Sequence, residues 1–135
     1  MTTAEISRII TSWVADTLGG DITVDFGRLP DTHKSCMVRQ VPVEPVVRRY
    51  LSGSGIYRYS YVVLLAAKTH NLSSKSFDAI AELDKIASAI NEKKWPKAAG
   101  FACATHTVDI LPSLYSKQPD GLEIYQVQAT ITYLG

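Results

Sequence analysis

Three histidines and two cysteines are the side chains of this chain most able to do acid–base, metal or thiol chemistry. His33, His70 and His106 each lack a partner at i+3 or i+4 and an acidic neighbour at ligand spacing, so they are expected on the surface or in loops. Cys103 and His106 stand three apart, which on a regular strand puts them on opposite faces. Cys36 and Cys103 belong to no CxxC pair and read as buried thiols rather than a disulfide. Glu82 and Asp84, two apart on a predicted helix, point in different directions and read as solvent contacts. Ser52-Gly53-Ser54-Gly55 has neither the lysine nor the following helix of a phosphate loop and reads as a mobile turn. No catalytic, cofactor-binding or metal-ligating residue is predicted, and the expectation is a protein that is not an enzyme.

One cluster rises above this background. Tyr50, Tyr57, Tyr59 and Tyr61 interleave with Arg48, Arg49 and Arg58. Arginine with aromatics on strands can stack the bases of single-stranded nucleic acid, or it can anchor a protein interface, where Tyr and Arg are enriched. With 14 basic against 13 acidic residues there is no global field to draw nucleic acid, which favours the interface. Tyr61 is expected in the core and Tyr57 near a hairpin tip.

Charge is divided along the chain. Residues 1–31 carry Glu5, Asp16, Asp21, Asp25 and Asp31 against Arg8 and Arg28, a balance of −3. Residues 34–58 carry Lys34, Arg39, Arg48, Arg49 and Arg58 against Glu44, a balance of +4. Two solvated faces would explain this division. So would a surface that meets a copy of itself, with Asp16, Asp21 and Asp25 on one side of the contact and Arg39, Arg48, Arg49, Tyr57 and Arg58 on the other.

The elements that position these residues follow from local pattern. Thr2 and Glu5 form a capping box ahead of Ile6, Ile9, Ile10, Trp13, Val14 and Leu18 at helical spacing, and Gly19-Gly20 stops the helix. Strands are predicted at 22–26, 36–41 and 46–51, with a turn at Pro30-Asp31, and a long one at 56–68. Tyr57, Tyr59, Tyr61, Val63, Leu65 and Ala67 line one face of the long strand. Its other face starts polar at Arg58 and Ser60 and turns apolar at Val62, Leu64 and Ala66, which predicts cover on both sides of that half. Asn71 to Ser74 reads as a cap and Asp78 as a first-turn acid. The helix that follows, near 18 residues long, buries Phe77, Ile80, Leu83, Ala87 and Ile90, with Lys93 and Lys94 at its C-terminal end and Trp95-Pro96 closing it. Two last strands, 101–111 and 122–134, are separated by Pro112 and the turn Pro119-Asp120-Gly121. The fold class is α+β in the order α-β-β-β-β-α-β-β, a mainly antiparallel sheet of about five to six strands packed by two helices. Residues 1–135 are expected to form a single domain. Tyr61 to Ala67, the longest apolar run, falls far short of the roughly 20 residues that span a bilayer, and with no basic leader a cytosolic product is expected.

The opening helix, Leu29-Pro30-Asp31 before Met37-Val38-Arg39-Gln40, Tyr50-Leu51-Ser52-Gly53 before Tyr57-Arg58-Tyr59, and a last strand Ile124-Tyr125-Gln126-Val127 ending Tyr133-Leu134-Gly135 together carry a resemblance. In element order and length the chain resembles the tail terminator, or tail-completion, proteins of long-tailed bacteriophages and prophages, including their small minor-capsid or tail-joining proteins. The resemblance implies a structural virion protein at the head-proximal end of the tail, made in the host cytoplasm. Such a protein forms a homo-oligomeric ring, a hexamer by that analogy. It stops growth of the tail tube, meets the tail tube protein and the head-completion or connector protein, and passes DNA through its lumen without reading sequence; no cofactor and no membrane are involved. A head-side connector or stopper, a small nucleic-acid-binding module and a thiol hydrolase using Cys36 or Cys103 are the competing expectations.

Overall fold

In the computed structural model, residues 1–29, 35–69, 72–119 and 121–135 are described. Pro30, Asp31, His33, Lys34, His70, Asn71 and Asp120, which bear on the two expected turns, two of the histidines and the cap of the second helix, lie outside them. The elements are α1 (Thr3–Leu18), β1 (Thr23–Phe26), β2 (Ser35–Val41), β3 (Val46–Arg49), β4 (Gly55–Lys68), α2 (Ser73–Asn91), β5 (Ala102–Lys117) and β6 (Leu122–Leu134). Two helices and a mainly antiparallel six-stranded sheet make the chain an α+β protein.

Helix α1 begins where its donors find partners. The Glu5 N–H donates to Thr2 Oγ1 at 3.2 Å and the Thr2 N–H to Glu5 Oε2 at 3.3 Å, so two of the first-turn donors are satisfied reciprocally. It ends at Gly19, whose φ of 91° a side chain would strain. Between these points Ile6, Ile10, Val14 and Leu18 are buried on one face.

The sheet runs β1-β2-β4-β6-β5, with β3 pairing the start of β4. β4 and β6 share thirteen antiparallel pairs, from Ile56 opposite Leu134 to Lys68 opposite Leu122. Tyr59, Tyr61, Val63 and Leu65 therefore share a face with Ile131, Ala129, Val127 and Tyr125. Cys36 and Val38, opposite Leu65 and Val63, extend that face into β2. Both helices pack on it, forming one hydrophobic cluster with Ala79, Leu83, Ile86 and Ile90 of α2. Because β4 runs one way and β6 the other, β5 is parallel to β4, and α2 is a crossover that passes over β6.

Several local expectations are corrected by this arrangement. Among the described residues no helix covers the opposite face, so Val62 and Leu64 are not covered by a second layer. They are buried beside Arg39, Gln128, Met37 and Gln126, their cross-strand neighbours, whose long side chains can shield them. β1 pairs with β2 in parallel. A tight hairpin would force antiparallel pairing, but the connection from residue 27 to residue 34 is long enough to return the length of a four-residue strand, about 13 Å. β5 runs through Pro112, because it is an edge strand and a register shift falls between Ile110 and Ser113, where a missing N–H breaks no ladder bond. Phe77 is 70% exposed: two positions before Ala79 on a helix it stands about 200° round from the buried stripe.

The ends of α2 also differ from expectation. Its N-cap residue is Leu72 with no side-chain cap bond, Asp78 lies past the first turn, and Lys93 and Lys94 lie beyond the last. The C-terminal end is closed by backbone instead. Lys94 N–H reaches Ala89 O at 2.8 Å and Lys93 N–H reaches Ile90 O at 3.1 Å, with Lys93 left-handed at φ 59°. This is a Schellman closure with lysine where glycine is preferred. Replacing Lys93 with Gly removes about 1–2 kcal/mol of left-handed strain and returns part of it as unfolded-chain entropy. Lys93→Gly should raise the urea midpoint by the equivalent of about 0.5–1 kcal/mol at unchanged slope; a lowered midpoint would contradict this reading of the cap.

Candidate assembly interface

The strands of this sheet outrun the helices laid on it. β4, with 14 residues, extends about 46 Å, whereas α1 and α2, with 16 and 19 residues, extend about 24 and 29 Å. The start of β4 accordingly passes beyond the helical layer, and the core ends there in a ring cluster. Tyr57 stacks on Tyr133 with centroids 5.8 Å apart, and Phe101 meets Tyr133 at 5.7 Å. Beyond this point β3 and β4 form an arm. Arg49 pairs with Gly55, the Tyr50 N–H donates to Ser54 O at 2.8 Å, and the Gly53 N–H donates to Tyr50 O at 3.1 Å. Gly55 is required: a Cβ there would meet the Arg48 carbonyl oxygen at 2.5 Å. Gly55 and Gly135 exchange backbone hydrogen bonds of 3.0 and 3.1 Å, so the last residue is tied to the base of the arm.

The residues expected at an interface fall into two sets. Arg48 and Arg49 are exposed on β3, and the Arg48 guanidinium sits 5.5 Å from the centroid of the Tyr50 ring. Arg39 is exposed on β2 and Arg58 half-buried on β4, both on the face without helices. Tyr57, half-buried, points to the helical face. Asp16 is exposed on α1, Asp21 in the turn after it, and Asp25 on β1. Asp25 lies 3.8 Å from Arg28 and lines a groove of about 710 Å³ with Phe26, Gln40 and the first half of α1. Among the described residues none of the three acids forms an ion pair with Arg39, Arg48, Arg49 or Arg58; Asp25, opposite Met37, lies on the same side of the sheet as Arg39, whereas Asp16 and Asp21 belong to α1 and the turn after it. Tyr59 and Tyr61 leave the cluster altogether, being buried in the core.

The histidine that sequence placed at the surface is inside. His106 is 4% exposed, boxed by Trp13 at 5.1 Å, Tyr61 at 5.8 Å and Trp95 at 6.4 Å between ring centroids. Tyr61 Oη lies 2.6 Å from His106 Nε2. A phenol donating there puts the ring proton on Nδ1, the buried atom with no partner among the described residues. Burial pushes the imidazole down to about 4 and holds the Tyr61 phenol well above its ordinary range. Trp13 Nε1 and Trp95 Nε1 donate to the Lys94 and Ile90 carbonyls at 2.8 and 2.9 Å, tying this box to the end of α2. A second buried polar contact, Thr69 donating to Glu123, lies at the far end of β4 and β6.

Cys103 and His106 share a face, contrary to their spacing. The register shift between Cys103 and Thr105 adds a residue, so Cys103 opposes Tyr133 and His106 opposes Ile131 on the same side of β6. Proximity does not activate the thiol. Burial pushes Cys103 up to about 11 and Cys36 up to about 12, the reverse of the depressed pKa that a thiolate nucleophile requires. Both cysteines are free; Cys36 is buried as expected and Cys103 is half-buried. Among the described residues no group of three His, Cys, Asp or Glu is placed to hold a metal ion, and no helix is long and apolar enough to cross a membrane. The surface residues that sequence reasoning missed are apolar: Leu51 is wholly exposed at the arm tip, and Leu111, Leu114 and Tyr115 are exposed on β5. The signal was available in Ile110-Leu111-Pro112-Ser113-Leu114-Tyr115, which has too many large apolar residues for the loop it was expected to open.

No protein-family model matches the chain, and no curated protein is significantly similar to it.

The buried histidine has a measurable consequence. Its folded value of about 4 lies below the ordinary 6.5, so between these values the unfolded chain binds the extra proton. Stability from this group is fully present above pH 6.5 and falls as pH drops toward 4, by on the order of 3 kcal/mol. His106→Phe should flatten that limb of the urea-midpoint profile relative to wild type; parallel profiles would show that His106 does not titrate in this window.

Proposed function

We propose that the chain is a structural protein of a phage or prophage tail that assembles as a ring on the head-proximal end of the tail tube, ends its elongation and joins it to the head. The observation that carries this reading is that the acidic and basic sets form no ion pair with each other within one chain, among the described residues. A head-to-tail ring requires each copy to present two different, complementary surfaces. Asp16, Asp21 and Asp25 around α1 and β1, and Arg39, Arg48, Arg49 and Arg58 on β2, β3 and β4, supply such a pair and leave each other free within one chain. The partners on this reading are copies of the chain itself, six by analogy, the tail tube protein and a head-completion protein, with DNA passing through the lumen unread. A head-side connector would use the same ring and differ only in which partner it meets first.

Surface charge pairs of this kind contribute mainly to partner choice and rate, and salt weakens them. Arg48→Glu with Arg49→Glu should lower the assembled fraction in sedimentation at moderate salt, and added salt should narrow the gap between variant and wild type. Assembly that is unchanged by the double reversal would contradict the charge-matched contact.

A further inference from the structure

The connection from α2 to β5, residues 92–101, is held to the helices chiefly by the tryptophan box around His106. Residues 92–94 and 97–100 are exposed, Trp95 and Phe101 are half-buried, and Pro96 is buried. Among the described residues its one β-bridge, Ala98 with Phe101, is internal to the segment. Beyond the backbone closure at Lys93 and Lys94, the bonds that tie it down come from two indoles: Trp13 of α1 donates to the Lys94 carbonyl, and Trp95 donates to the Ile90 carbonyl. Ile90 O also accepts the Lys93 N–H, so withdrawal of Trp95 leaves that carbonyl partnered.

His106 is the polar group under this lid. The groups that face it are Trp13 from α1, the Tyr61 phenol with Tyr59 beside it from β4, Ile131 from β6, Trp95 from the connection, and the Cys103 thiol on β5 itself. From α2 comes the Ile90 carbonyl, taken by Trp95. Asp109 of β5 accepts the Thr130 hydroxyl on the other side of the sheet. Arg8, Asp16 and Lys97 lie outside the box, where with both indoles they line a groove of about 470 Å³. Among the described residues no carboxylate pairs with the ring. A second ring proton would turn Nε2 from acceptor to donor against the Tyr61 hydroxyl, and would leave a charge and an unpartnered Nδ1–H enclosed by three aromatic rings. Opening returns the imidazole to water, where it titrates near 6.5 instead of about 4, and so gains up to about 300-fold as the pH falls. That factor is small beside the folding constants of whole domains, on the order of 10³–10⁸, but comparable with those of loosely packed segments.

We propose that this box is an acid-opened latch: a proton on His106 releases Trp95 and the 92–101 connection from α1 while the sheet and both helices stay folded. Opening carries Trp95, Pro96 and Lys97 away from Trp13 and brings the imidazole into contact with water at the floor of the groove. The connection leads directly into Phe101, which meets Tyr133 at the base of the arm, so the latch also reaches the end of the sheet that the helices leave uncovered. The device stands on the box alone and is independent of the ring reading.

Trp13 and Trp95 are the two tryptophans of the chain, so indole emission reports on the box alone. As the pH falls from 6.5 to 4, the emission maximum of wild type should move to longer wavelength while far-UV circular dichroism holds its neutral-pH value. His106→Phe keeps a ring with no titrating group and should hold its emission maximum across the same range. Tyr61→Phe removes the hydrogen bond that favours the neutral imidazole and should move the transition up by about half to one pH unit. An emission maximum that moves only with loss of the circular dichroism signal, or a fall in intensity at an unmoved maximum, overturns the latch. So does a red shift that persists in His106→Phe, or a Tyr61→Phe transition that stays in place or moves down.

Discussion

The antiparallel ladder between β4 and β6 is the constraint on which the other elements depend. Thirteen pairs in unbroken register assign every side chain of both strands to one face or the other. A slip of β6 by a single residue would send Val127 and Ala129 to the face without helices and bring Gln126, Gln128 and Thr130 under them. Aliphatic burial of this kind stabilises by about 1.5–3 kcal/mol per large side chain, so the register is held by the helices as firmly as it positions them. On the outer face Ser60 and Thr130 exchange a hydroxyl hydrogen bond of 2.7 Å, and Thr105 and Thr132 one of 2.5 Å, so the polar side of the ladder is knit as well.

The length of that ladder exceeds the helical layer laid on it. Helices of this size cover only part of it, and the uncovered end carries the arm, the Tyr57–Tyr133 stack and the C-terminal glycine. The polar groups that look most chemical are inside the covered part. His106, Tyr61, Trp13 and Trp95 make an aromatic box whose hydrogen bonds run to backbone carbonyls and to one another, which locks α1, α2 and β5 together. High thiol and phenol pKa values and a depressed imidazole are chiefly what burial produces, with nearby acidic groups adding to the rise at Tyr61. The exposed side chains that stand out are instead arginine, aspartate and large apolar residues.

Signals confined to a few residues were legible in the sequence. The Thr2–Glu5 box, the Gly19 stop, the alternation of Tyr59 to Leu65 and the glycine turn after β3 each state their structure locally, and the order of elements follows from them. What was not legible depended on neighbours distant in sequence. Pro112 reads as a strand terminator unless β5 is known to be an edge. Cys103 and His106 read as opposed until a bulge between them is seen. His106 reads as a surface histidine because nothing beside it announces Trp13, Tyr61 and Trp95, which arrive from α1, β4 and the end of α2. The arginines and aspartates proposed for an interface could be picked out by charge, but where the fold places them, and the exposed apolar residues of β5, required the topology.

Native mass spectrometry of the purified wild-type chain at near-physiological salt tests the central claim most directly. The account predicts one closed species whose mass is a fixed small multiple of the 14.8 kDa chain and does not grow with concentration. A monomer at every concentration, or an open series of ever larger multiples, would contradict it.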